Sequence, residues 1–237
     1  MLAVARTQAV WYLTRGTGLV ALLLLTTSVV LGIVEISGWS RPGWPRFLTA
    51  GLHRNVSLLA VAFLVVHIAT SVWDGFAPIG WLDSVVPFLS PYRPVWLGLG
   101  AVAFDLLLAV IITSLVRGRL GYPAWKAVHW LSYALWPIAL VHGFGTGSDT
   151  RLGWVLLLSL ACLAAVVAAV WWRLWKAFSG RAAPDPAGPS PALTAAAVAG
   201  VVVPLAVVVF LFVGPLRPGW SRRAGTPTSA TPTVSAP

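Results

Sequence analysis

The chain has 237 residues, of which 58% are hydrophobic and 9% charged, whereas a soluble domain carries about 25% charged residues. That deficit, with a mean hydropathy of +0.86, excludes an ordinary soluble protein and points to lipid as the solvent. The formal net charge of +10 sits in short segments between apolar runs, which reads as membrane topology and not as nucleic-acid binding. The single cysteine, Cys162, excludes a disulfide within the chain and any Cys-based zinc or iron–sulfur site; it reads as a small packing residue.

The apolar stretches follow in chain order. Residues 1–16 form an N-terminal segment with Arg6 and Arg15. The first apolar stretch, Gly18 to Ile36, is longer than the apolar region of a signal peptide and lacks a small-residue cleavage site, so it reads as a retained helix. Five more stretches follow: Leu52 to Trp73, Val95 to Val116, Tyr122 to His142, Trp154 to Trp172, and Ala192 to Val213. Each approaches the roughly 20 residues a helix needs to cross hydrocarbon. Backbone groups in lipid must be satisfied within the segment, so each reads as a helix. The expected fold is an all-α integral membrane protein, a six-helix transmembrane bundle. Its core would be five helices over residues 17–176. A Pro/Ala/Gly linker (177–191), a sixth helix (192–214) and a disordered Pro/Thr/Ser tail (215–237) would follow.

The loops differ in charge. Arg41 and Arg46 lie in the first, Arg117 and Arg119 in the third, and Arg173, Lys176 and Arg181 in the fifth. The second offers only Arg93 and the fourth only Arg151. Positive residues favour the cytoplasmic side, which puts the first, third and fifth loops inside; Arg217, Arg222 and Arg223 after the last helix pull the other way. The second loop, Asp74 to Pro94, would then pack over the outer face. Trp171, Trp172 and Trp175, beside Arg173 and Lys176, form an interfacial belt.

All four histidines fall in or at the ends of apolar stretches, where ionisable side chains mark functional sites. His53 and His67 are 14 residues apart on the second stretch, and His129 and His142 are 13 apart on the fourth. At about 1.5 Å per residue, each helix carries one imidazole near each membrane face, about 20 Å apart. Two crossings separate these helices, so they run parallel, with His53 level with His129 and His67 level with His142. An iron between each level couple would receive two imidazoles and keep no open position, which suits electron transfer. Rotation fits less well: at about 100° per residue, 14 steps return to within about 40° of one face, but 13 steps miss by about 140°. Pro137, between His129 and His142, is expected to kink the helix and correct the register.

The runs Leu52-His53-Arg54 through Val66-His67, and Val128-His129-Trp130 through Val141-His142-Gly143, resemble the ferric reductase-like transmembrane family. The resemblance spans roughly Arg15 to Gly147. It implies two b-type haems, His53 with His129 on the cytoplasmic side and His67 with His142 on the outer side, and electron flow across a bacterial-type plasma membrane. Many members of this family continue into a flavin- and NAD(P)H-binding domain. No Gly-rich dinucleotide fingerprint occurs here. The resemblance therefore implies the haem subunit of a reductase system, with a separate donor (a flavoprotein reductase or a quinol) and a separate acceptor.

Arg46, Arg54 and Lys126 lie near the cytoplasmic-side histidines in this reading and are candidates to pair with haem propionates, although ordinary topology signalling explains them equally well. Arg93 is the basic candidate near the outer haem. Asp105 reads first as helix glue. Asn55-Val56-Ser57 matches a glycosylation pattern by accident within a helix. Two rival readings stand: a haem-free small transporter or proton conductor that uses the histidines, and an ascorbate-type cytochrome b, whose ligands would be spread over four helices.

Overall fold

The computed structural model describes residues 2–39, 44–74, 77–146, 148–179 and 191–217. Most of the predicted linker and tail, with Arg41, Arg181, Arg222 and Arg223, lies outside them. The described residues are helical, with no strand among them. The helices are α1 (Leu2–Ile36), α2 (Arg46–Trp73), α3 (Pro94–Leu115), α4 (Arg117–Leu120), α5 (Tyr122–His129), α6 (Ser132–Thr146), α7 (Gly153–Ser179) and α8 (Pro191–Val213). Among the described residues, α2, α3, α7 and the Gln8–Ile36 part of α1 are long and apolar enough to cross a membrane, and α8 contributes a shorter apolar run, Ala197–Val213. The chain is a multi-pass membrane protein.

Local sequence explains most helix ends. The helix of the first stretch begins well before Gly18, because nothing from Leu2 onward breaks it. It ends where Gly38 adopts a left-handed φ of 65°, open to glycine without the steric cost a side chain would add. Pro94 opens α3 at the position where a missing N–H costs nothing. A 3-10 turn, Trp81–Ser84, occupies the second loop.

The fourth predicted stretch is two helices, α5 and α6, and not one. Between them Leu131 N–H bonds Val128 O, Tyr133 N–H bonds Trp130 O and Ala134 N–H bonds Leu131 O, all reaching back three residues, before Leu135 N–H returns to the four-residue pattern. Three-residue bonding advances the chain about 120° per residue instead of about 100°. The extra turn runs in the direction that reduces the rotational miss between His129 and His142. Pro137 lies inside α6, where it cannot donate to the carbonyl of Tyr133.

The core forms around α6. Trp136, Leu140 and Phe144 pack with Cys162, Leu163 and Val166 of α7 and with Val207 and Leu211 of α8. On its other side Leu135 meets Ala103 and Leu107 of α3. The buried indole of Trp136 donates to Thr26 Oγ1 of α1 at 2.9 Å, a polar tie across the core. Leu58, Leu115, Leu157 and Phe212 stay exposed, as expected for surfaces that face lipid.

Candidate functional site

Three of the four imidazoles are held in the same way. His67 Nδ1 bonds the backbone oxygen of Thr14 at 2.8 Å, His53 Nδ1 that of Ser28 at 2.9 Å, and His142 Nδ1 that of Trp96 at 2.8 Å. A carbonyl oxygen only accepts, so Nδ1 carries the proton in each case, and in the neutral ring Nε2 keeps its lone pair. Metal-binding histidines are fixed this way: the outer nitrogen is tied to the protein and the inner one left to coordinate.

A glycine lies beside each of these rings. A Cβ at Gly18 would lie 2.9 Å from Cε1 of His67, one at Gly32 3.4 Å from Cε1 of His53, and one at Gly100 2.5 Å from Cε1 of His142. Each glycine stands four residues after the accepting carbonyl: Thr14 and Gly18, Ser28 and Gly32, Trp96 and Gly100. The carbonyl of residue i points along the helix toward residue i+4, so a Cβ there crowds a ring that lies against the carbonyl, severely at Gly100 and Gly18 and only to contact distance at Gly32. Ser28 adds a second contact, its hydroxyl lying 3.3 Å from His53 Nδ1 and 2.7 Å from the hydroxyl of Ser57.

His129 is different. Its Nδ1 is buried with no hydrogen-bond partner, and its ring stacks on Trp125 at 4.9 Å and 27°. It nevertheless meets its expected partner, since the His53 and His129 ring centres are 6.3 Å apart. Metal–imidazole bonds of about 2.0–2.1 Å would put opposed rings at about this separation, with one ion between them. His67 and His142 line one cavity of about 310 Å³, with Leu64, Phe104, Leu107 and Leu135 among its apolar walls. No cluster of three or more His, Cys, Asp or Glu side chains suited to a metal occurs among the described residues. The four imidazoles thus come together as two couples, His53 with His129 and His67 with His142.

The charged candidates lie further out. Arg46, Arg54 and Lys126 are exposed, and Lys126 Nζ stands 5.7 Å from the Tyr122 ring. Arg93 is buried at 7% exposure, and its Nη1 donates to Gly145 O at 3.1 Å and Thr146 O at 3.0 Å. It caps the α6 C-terminus, where a cation is favoured. Asp105 is half-buried; the three tied imidazoles bond to backbone oxygens and not to its carboxylate. Arg15 and Asp149 form an ion pair at the edge of the cavity that His67 and His142 line.

The three glycines and three carbonyls were not singled out from the sequence. One signal was available: Gly18 and Gly32 repeat the 14-residue interval of His53 and His67 on the preceding helix.

A family model described as the ferric reductase like transmembrane component matches residues 17–140. No curated protein and no solved structure matched the chain.

Proposed function

Taking as premise that the chain belongs to the ferric reductase-like transmembrane family, whose domains generally bind haem and whose membership suggests transmembrane electron transfer, we propose that it carries electrons through two bis-histidine b-type haems. His53 with His129 would hold the cytoplasmic-side haem, and His67 with His142 the outer one. The observation that carries this reading is the set of imidazoles whose Nδ1 is committed to a backbone carbonyl, which leaves Nε2 to coordinate. The His53–His129 ring separation of 6.3 Å supports the first couple, and the shared apolar cavity supports the second.

Bound haem supplies one-electron iron chemistry. The four histidines would hold the iron, leucine and phenylalanine walls would exclude water, and the hydrogen bonds behind His53, His67 and His142 would tune the iron. Arg46, Arg54 and Lys126 would attract propionates or an anionic partner at the cytoplasmic rim.

The same reading includes six crossings, with α5–α6 as a broken fourth and α8 as the sixth, in a bacterial-type plasma membrane. It also includes an oxidoreductase subunit whose donor, a flavoprotein reductase or a quinol, and whose acceptor are separate molecules.

The test is haem stoichiometry by pyridine haemochrome, together with dithionite-reduced spectra of the purified protein. Two haems per chain with sharp low-spin b-type bands are expected. A colourless protein from haem-replete cells would overturn the proposal and favour a haem-free transporter.

A further inference from the structure

The glycine-and-carbonyl arrangement occurs three times and fails once. On α3, the residue 14 after Gly100 is Ser114, which lies within about 40° of the same helix face. It stands where a glycine would open the carbonyl four residues earlier, that of Val110. The Ser114 hydroxyl takes that carbonyl itself, bonding Val110 O at 2.6 Å. The neighbouring Thr113 hydroxyl bonds Ala109 O at 2.7 Å and also reaches Val110 O at 3.2 Å. The fourth ring, His129, has a buried Nδ1 with no partner.

A different support takes its place. Trp125 stacks on His129 at 4.9 Å, and its indole N–H donates to the Ser114 oxygen at 3.2 Å. On the same indole lies the Arg117 guanidinium, 4.1 Å from the ring centre. Stacking resists tilting of the imidazole but leaves Nδ1 unpaired, so it neither raises ring basicity nor penalises withdrawal from a metal as a hydrogen bond would.

We propose that His129 is the exchangeable ligand of this chain, held by Trp125 and Ser114 in place of a backbone hydrogen bond, so that the haem it shares with His53 can open a coordination position to a small neutral ligand. Ser114 and Trp125 are positioning residues that act through His129. The inference rests on the two-haem reading above, and its test separates the two.

Carbon monoxide is the probe, added to the dithionite-reduced full chain in detergent and followed by difference spectra and a redox titration. One haem of two should bind it, and that haem should be the one lost in His53→Ala. Trp125→Leu should raise carbon monoxide affinity at that haem about tenfold, within the range known for contacts that support metal ligands. Ser114→Ala provides a second measurement: by removing the anchor of Trp125 it should raise carbon monoxide affinity at that haem alone, in the same direction as Trp125→Leu. Two haems that respond alike, or a carbon monoxide site lost in His67→Ala and not in His53→Ala, would overturn the inference and leave the two-haem reading intact. A haem-free wild type would overturn both.

Discussion

The first helix pair, α1 with α2, and the second, α3 with α5–α6, each present two histidines but are built differently. In the first, two unbroken helices face each other, and Gly18 and Gly32 admit His67 and His53 at one constant interval. In the second, α3 is unbroken but its partner changes winding at Trp130–Leu131; Gly100 admits His142, and Ser114 closes the remaining position. An intact pair of helices thus repeats a local contact faithfully over 14 residues. A change of winding lets one end keep the contact while the other replaces it.

The comparison can be broken most severely at the ligands. His53→Ala should abolish one haem, the same haem that His129→Ala should loosen, and His67→Ala and His142→Ala should each abolish the other, as read by haemochrome content and redox titration. Loss of spectroscopically different haems within a couple would show that the level pairing is wrong.

The next effect is graded and sharpens the account of the glycines. Gly100→Ala places a Cβ 2.5 Å from its imidazole, Gly18→Ala 2.9 Å and Gly32→Ala 3.4 Å. Haem affinity at the corresponding site should fall most for Gly100→Ala, by about 10–100-fold, then for Gly18→Ala, and least for Gly32→Ala. An equal loss in all three would mean that the glycines serve helix packing in general.

Smaller effects belong to the frame. Arg93→Ala removes two charge-assisted bonds to the α6 C-terminus and should cost about 1.5–3 kcal/mol, seen as a lower thermal midpoint with haem still bound. Trp136→Phe removes the buried bond to Thr26 and should cost about 1 kcal/mol. Lys176→Ala, whose Nζ makes an exposed 3.3 Å bond to Ser37 O, should stay within about 0.5 kcal/mol of the parent.

Much of this was legible in the sequence, because lipid imposes simple rules. A low charge content and long apolar runs specify membrane helices, and the intervals between His53 and His67 and between His129 and His142 pair their ends. What stayed hidden depended on backbone geometry. The change of winding falls at Trp130–Leu131, where no proline marks it, although Pro137 had already signalled an irregular helix. The tied carbonyls of Thr14, Ser28 and Trp96 carry no residue signature, since any amino acid supplies a carbonyl. Arg93 looked like a charge near the outer site, and only the fold reveals that its guanidinium reaches the end of α6. Arg46, Arg54 and Lys126, singled out for their position in sequence, are exposed at the rim.

The carbonyl acceptors have a consequence for how such a chain tolerates change. A main-chain oxygen survives every replacement of the side chain it belongs to, so the bond to the ring does not depend on which side chains Thr14 and Trp96 carry. The constraint passes to residues that contribute no atoms to the bond, Gly18 and Gly100, where the smallest addition intrudes. In an evolving lineage, the trace of these imidazole tethers would be fixed empty spaces and not a fixed acceptor side chain.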